Sequence, residues 1–398
     1  MKFVDELRDP DKTQRLLREI KALVPRAKAA VASRETPAKT RPIAIMEVCG
    51  GHTHAIFRYG IEGLLPEEIE LVHGPGCPVC VLPMGRVDDC IAIAERPDVL
   101  LATFGDALRV PGSKKSLLEA KAEGADVRNV YSPLDALRLA KDNPDREVVF
   151  FGLGFETTMP STALTVLQAK ADGVRNFSLF CNHITILPTL KAILDAGDFQ
   201  VDGFLGPGHL SMVIGSRPYG FIASEYRRPF VVTGFEPLDI LQGTWMVMKQ
   251  LAEGRAEVEN QYSRVVREGG NPAALSAIEQ VFELRESFEW RGLGSVPQSG
   301  VRIREAFAAF DAERRFHVPD VAVADPGECQ CGEVLKGTLK PWACQLFGKE
   351  CTPETPMGAL MVSSEGACAA YHRFGDAAKI AAKQAEAHLV KLGRGPVA

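Results

Sequence analysis

Between residues 42 and 235 the chain repeats one pattern, a short apolar run followed by a stretch of helical periodicity, and that alternation restricts the fold more than any other feature. The runs are IAIMEV, IELVHG, DVLLATF, VRNVY, EVVFFG, NFSLFC, DGFLG and PFVVTG. Strands separated by helices pair in parallel, and a parallel sheet needs cover on both faces. The expectation is an α/β fold. In open sheets of this kind, ligand crevices lie beyond the carboxyl ends of the strands. Residues that carry chemistry are to be sought there.

The flanks read differently. Residues 1 to about 41 are amphipathic, with Leu7, Leu16, Leu17, Ile20 and Leu23 near helical spacing. From 236 to 315 the pattern is helical again, as in PLDILQGTWMVMKQLAEG and PAALSAIEQVFEL; after 319 it becomes loop-like and cysteine-bearing, and 376–392 returns to helix. The two ends are expected to pack together. This gives two α/β parallel-sheet domains, at 42–145 and 146–235, and a third, mostly helical domain built from both termini, 1–41 with 236–398. An internal echo suggests two similar halves divided near 145: IELVHGPGC at 69–77 against DGFLGPGH at 202–209, and MEVCGGHTH at 46–54 against FFGLGFETT at 150–158. Chance similarity of glycine-rich turns would produce the same echo.

A formal net charge of -5 leaves no basic field for nucleic acid or an anionic membrane. No apolar stretch approaches the roughly 20 residues that span a bilayer, and the start MKFVDELRDPDKTQRLLREI lacks the apolar run of a secretory signal. A cytoplasmic setting is expected. In a reducing compartment, ten cysteines point to metal binding or redox chemistry before structural disulfides.

Five of the ten, Cys329, Cys331, Cys344, Cys351 and Cys368, fall in the last seventy residues. A 4Fe-4S cubane needs four thiolates around a compact core, and loops of these lengths can wrap one. Either Cys329 or Cys331 supplies the first of them. Zinc sites more often use tight Cys-x-x-Cys pairs, which this segment lacks, so zinc and unligated buried thiols are the competing readings. Upstream, Cys77 and Cys80 in GPGCPVCVLP form a Cys-x-x-Cys pair just past a strand, a spacing that closes a small disulfide and exchanges two electrons. Half of a zinc site is the alternative.

In EVCGGHTHAIFRYG, Cys49 ends a strand, with His52 and His54 close behind. A thiolate near imidazole suits a soft transition metal such as iron, and it equally suits a cysteine nucleophile. Glu156 in GFETT, His183 in CNHIT and His209 in GPGH lie near ends of predicted strands, where a polar residue either functions or caps the next helix. No G-x-G-x-x-G after a strand and no Walker A loop is present.

With these motifs in order, CGGHTHAIFRYG at 49–60, GPGCPVCVLP at 74–83, GFETT at 154–158, GPGH at 206–209 and the tail through MVSSEGACAAY, the sequence resembles the HypD family of nickel-iron hydrogenase maturation proteins over nearly its whole length. The resemblance implies a scaffold for assembly of the Fe(CN)2CO moiety, built of two Rossmann-like parallel-sheet domains and an iron-sulfur domain made from both termini. Cys49 would hold the iron together with a HypC-like small chaperone, with His52 beside it. A HypE-like protein would donate cyanide, and the hydrogenase large subunit would receive the product. Cys77 and Cys80 would match the family's thiol pair, which exchanges electrons with a 4Fe-4S cluster. The chain departs from the family pattern at one point: where many relatives read Gly-x-Cys-Met-Val-Ser-Ser, it has Gly358, Ala359, Leu360 and Met361. A cysteine at position 360 is then not required, and five candidates remain for four places. An iron-sulfur-dependent thiol-disulfide reductase acting on protein partners would use the same pair and cluster, and would leave Cys49 unexplained.

Overall fold

A computed structural model describes residues 5–33, 41–196, 200–319, 321–324 and 327–375. All eight apolar runs form strands: Ile43–Glu47 (β1), Ile69–His73 (β2), Val99–Thr103 (β3), Val127–Asn129 (β4), Glu147–Gly154 (β5), Phe177–His183 (β6), Gly203–Pro207 (β7) and Phe230–Thr233 (β8). A ninth, Val258–Asn260 (β9), completes two sheets. One has the order β2-β1-β7-β8-β9 and the other β4-β3-β5-β6, and every pairing in them is parallel. Helices lie between the strands, as crossovers between parallel neighbours require. Buried β1 and β5 run through the interiors as near-continuous apolar segments.

The sheets divide the chain differently from the expectation. The five-stranded sheet draws on 43–73 and again on 203–260, and the four-stranded sheet occupies 99–183, so residue 145 falls inside the second sheet, between β4 and β5. Both Gly-Pro-Gly segments of the echo lie at the carboxyl ends of strands of one sheet, the first just past β2 and the second closing β7. They are equivalent strand ends, and two repeated halves do not explain them.

The ends also sit differently. The helix Pro10–Ala32, capped by the Asp9 carboxylate, turns Ile20, Val24, Ala27 and Val31 onto the five-stranded sheet and the helix Pro237–Ala252. Residues 237–260 therefore belong with that sheet. The cysteine segment instead packs through Ala367–Phe374 on the helix Gly50–Arg58, and through Ala359–Met361 on the turn Val79–Val81. The helix expected at 376–392 lies outside the described residues. The helical reading of 236–315 also fails at 282–303, where Phe282–Leu284 pairs with Val301–Ile303 and Ser287–Trp290 with Gly294–Pro297, both antiparallel. Phe288 and Trp290 alternate inward there, and Gly292 and Gly294 take the positive φ that the tight turn demands. Among the described residues, no helix is long and apolar enough to cross a membrane.

Candidate functional site

Beyond the carboxyl end of β1, Cys49 is the N-cap of the helix Gly50–Arg58, in extended backbone at φ -153°. Its N–H donates to Glu47 Oε2 at 2.9 Å. Glu47 is fully buried; its other oxygen accepts from Thr53 Oγ1 and, at 2.8 Å, from His73 Nδ1. Three donors and one carboxylate thus fix the Cys49 turn against β2. The next residue, Gly50, donates its N–H to Gly76 O at 3.0 Å, which fastens this turn to the loop running into Cys77. Gly76 has to be glycine, because a Cβ there would strike the Cys49 backbone.

Cys77 and Cys80 are buried and joined as a disulfide, their Cα atoms 5.3 Å apart. The loop Ser363–Glu365 lies astride both sheets. Ser363 Oγ donates to Asp106 Oδ2 at 3.1 Å beyond β3, while the Glu365 side chain lies against Gly50. A Cβ on Gly366 would sit 3.0 Å from Cys80 Sγ. The three cysteine motifs of the sequence therefore meet at one place. Burial first, then the Glu365 and Glu47 carboxylates, push the Cys49 thiol up to about 12. A thiolate forms there only with a compensating cation.

Cys329, Cys331, Cys344, Cys351 and Cys368 line one small cavity, walled also by Val334, Phe347 and Leu360. Burial raises the Cys351 and Cys368 thiols; Cys331 is raised first by its contact with Cys329 and then by burial. Among the described residues, no three His, Cys, Asp or Glu side chains converge closely enough for a single ion. Thiols of several loops ringing a small apolar cavity fit a multi-iron cluster, and Gly358 leaves room for them, since a Cβ there would strike Cys329 Sγ. Leu360, at the departure from the family pattern, fills the wall with hydrocarbon.

His52 is fully buried and donates Nε2–H to Thr233 O at 3.1 Å and Gly234 O at 3.0 Å, which leaves Nδ1 as a lone pair with no protein partner. It stacks on Phe235 at 4.7 Å, and His209 stacks on the same ring at 3.8 Å. Burial lowers both imidazoles, so each is neutral near pH 7. His183 is a core residue, lowered to about 3 by burial, with Nε2 3.3 Å from Thr162 Oγ1.

Glu156, beyond β5, accepts the Ile186 N–H at 3.2 Å through one oxygen; the other is buried without a protein partner. Burial raises it from 4.5 to about 7. Between those values the unfolded chain ionises while the folded chain holds its proton, so stability falls as pH rises from about 4.5 to about 7 and then levels. Glu156→Gln lacks this loss. Denaturant titrations should find it indistinguishable in pH dependence below 4.5 and gaining, relative to wild type, up to about 3 kcal/mol by pH 8.

Sequence reasoning passed over Glu47, His73, Phe235 and Glu365. Only Glu47 announced itself, as a charged residue inside an apolar run; the others acquire meaning through partners distant in the chain.

Fold and site together define an α/β protein whose thiols gather beyond the carboxyl ends of parallel strands. The chain belongs to the HypD family of hydrogenase maturation factors. Residues 23–375 match the family described as "HypD: Hydrogenase formation hypA family". It is 58% identical over 381 residues to hydrogenase maturation factor HypD of Rhodobacter capsulatus, covering 95% of this chain and 99% of that one. The HypD of Escherichia coli is 55% identical over 374 residues, covering 94% and 98%, and that of Azotobacter vinelandii 53% over 381, covering 94% and 97%.

Proposed function

We propose that this chain is the scaffold on which an iron ion acquires cyanide and carbon monoxide ligands for nickel-iron hydrogenase. Cys49 holds the iron as cargo, together with a thiolate from a HypC-like small chaperone. A HypE-like donor supplies cyanide, and the hydrogenase large subunit is the eventual recipient. The observation that carries this reading is the 3.0 Å bond from Gly50 N–H to Gly76 O, because it fastens the Cys49 turn to the loop that runs into the Cys77–Cys80 pair.

The electrostatics of the crevice support a cationic cargo. A thiol held protonated beside the Glu47 and Glu365 carboxylates gains a thiolate when a ferrous ion replaces its proton. Soft thiolate donors suit an iron that takes strong-field ligands. His52, with its Nδ1 lone pair, and His209 are the neutral bases of the crevice, and Glu156 is the carboxyl that exchanges a proton near neutrality.

Four of Cys329, Cys331, Cys344, Cys351 and Cys368 would hold a 4Fe-4S cluster, which when bound supplies electrons one at a time. Cys77 and Cys80 store two electrons and two protons as a dithiol and close to the disulfide on releasing them. Gly366, packed on Cys80, is two residues from Cys368, so the pair adjoins the cluster-binding segment. A thiol-disulfide reductase for protein partners would use the same pair but gives Cys49 and its carboxylates no role.

Cys77→Ser tests the role of the pair. The variant should keep the iron and acid-labile sulfide of the cluster, yet show about a tenfold loss or more of iron carrying both diatomic ligands, read by infrared spectroscopy after copurification with the small chaperone. Undiminished cyanide and carbon monoxide bands in that variant would refute it.

A further inference from the structure

We infer that Cys329 and Cys331 form a reversible dithiol-disulfide site whose oxidation blocks loading of the cysteine-lined cavity, an inference that rests on the proposed cluster. Five thiols line the cavity, whereas a cubane takes four. The two candidates for the surplus sulfur touch each other. Cys329 Sγ lies 2.9 Å from Cys331 Sγ, and the two residues are separated only by Gln330. Gly358 permits this, since a Cβ at that position would press on both sulfurs. The pair is thus already at the approach that precedes a sulfur-sulfur bond.

Exposure sets the order of events. Cys331 is buried, and Cys329 is partly open to solvent, so an external oxidant meets Cys329 first. The Cys329 sulfur attacks one sulfur of a low-molecular-weight disulfide, forming a mixed disulfide and releasing one thiol. The Cys331 sulfur then attacks the Cys329 sulfur, closing the Cys329–Cys331 bond and releasing the second thiol. Both cysteine protons leave on the released thiols, and two electrons pass from the cysteine pair to the external disulfide. Both candidates for the first cluster position are then occupied. Cys344, Cys351 and Cys368 remain, one thiolate short of a cubane. This pair is separate from Cys77–Cys80, which is already closed in the structure.

The test uses the full-length chain, freed of iron under anaerobic conditions and exposed to oxidised glutathione. Peptide mapping without reduction should recover a peptide in which Cys329 and Cys331 are linked, two hydrogens lighter than its reduced form. After the oxidant is removed, uptake of ferrous iron and sulfide should be lower by about tenfold or more, and a phosphine reductant should restore it. Of Cys329→Ser and Cys331→Ser, one should load normally when reduced, and neither should lose two hydrogens within the 329–331 peptide after glutathione treatment. Absence of the linked peptide in a chain that loads normally overturns the inference. So does failure of both variants to load when reduced, since then neither sulfur is surplus. A reduced wild-type chain that takes up neither iron nor sulfide would instead refute the cluster reading, whatever the peptide map shows.

Discussion

Cys49→Ala is expected to abolish iron carriage, by a hundredfold or more on the order of what loss of metal-site residues causes, while leaving fold and cluster uptake intact. The change deletes one sulfur at a helix N-cap, and the backbone bonds that hold the turn, Cys49 N–H to Glu47 and Gly50 N–H to Gly76, survive it. Removal of a half-buried thiol flanked by carboxylates costs the fold little. The check is iron content after anaerobic copurification with the small chaperone, set against acid-labile sulfide from the same sample. Sulfide should be unchanged, and the iron in excess of it should vanish. Retention of that excess iron would remove Cys49 from the account.

Cys344→Ser should have the opposite signature, with sulfide and cluster iron lost together and the carboxyl-terminal segment destabilised. Residues 327–375 have short helices and turns for structure; Phe347, Cys351, Met361, Ala369, Ala370 and Tyr371 form a small apolar cluster with Phe57, and Cys331, Val334, Leu335, Leu360, Val362 and Ala367 join the main core. With elements this short, the order of the segment depends on whatever bridges its thiols. Loss of a bridging ligand should therefore cost on the order of several kcal/mol locally. Limited proteolysis should cut within 327–375 in the variant while the two sheets, with cores around Phe150 and Ile45, resist. Cys344 is the informative choice because it has no nearby duplicate such as the Cys329–Cys331 pair.

The strands were legible because each is an apolar run bounded by turn residues, a property of consecutive positions. Their grouping was not. β1 pairs with β7 across more than a hundred and fifty intervening residues, and nothing local to Ile45 announces Gly203 as its neighbour. The hairpins at 282–303 were missed because Phe288 and Trp290 give only one period of alternation before the glycines of the turn.

The site divides in the same way. Cys49, the Cys77–Cys80 pair and the tail cysteines stood out by residue type and spacing, and the structure brings them to one region. Their mutual positions are set by Glu47, Gly76 and Glu365, whose roles exist only in three dimensions. Phe235 is an ordinary aromatic until the fold slides it between His52 and His209.

The proposed scaffold stands or falls most directly on an infrared spectrum of the wild-type chain, purified anaerobically with its small chaperone and carrying its full complement of iron and sulfide. The account predicts stretching bands of both cyanide and carbon monoxide bound to iron. A spectrum empty in that region, from protein that nonetheless reduces disulfides of partner proteins, would contradict it and make the chain a reductase.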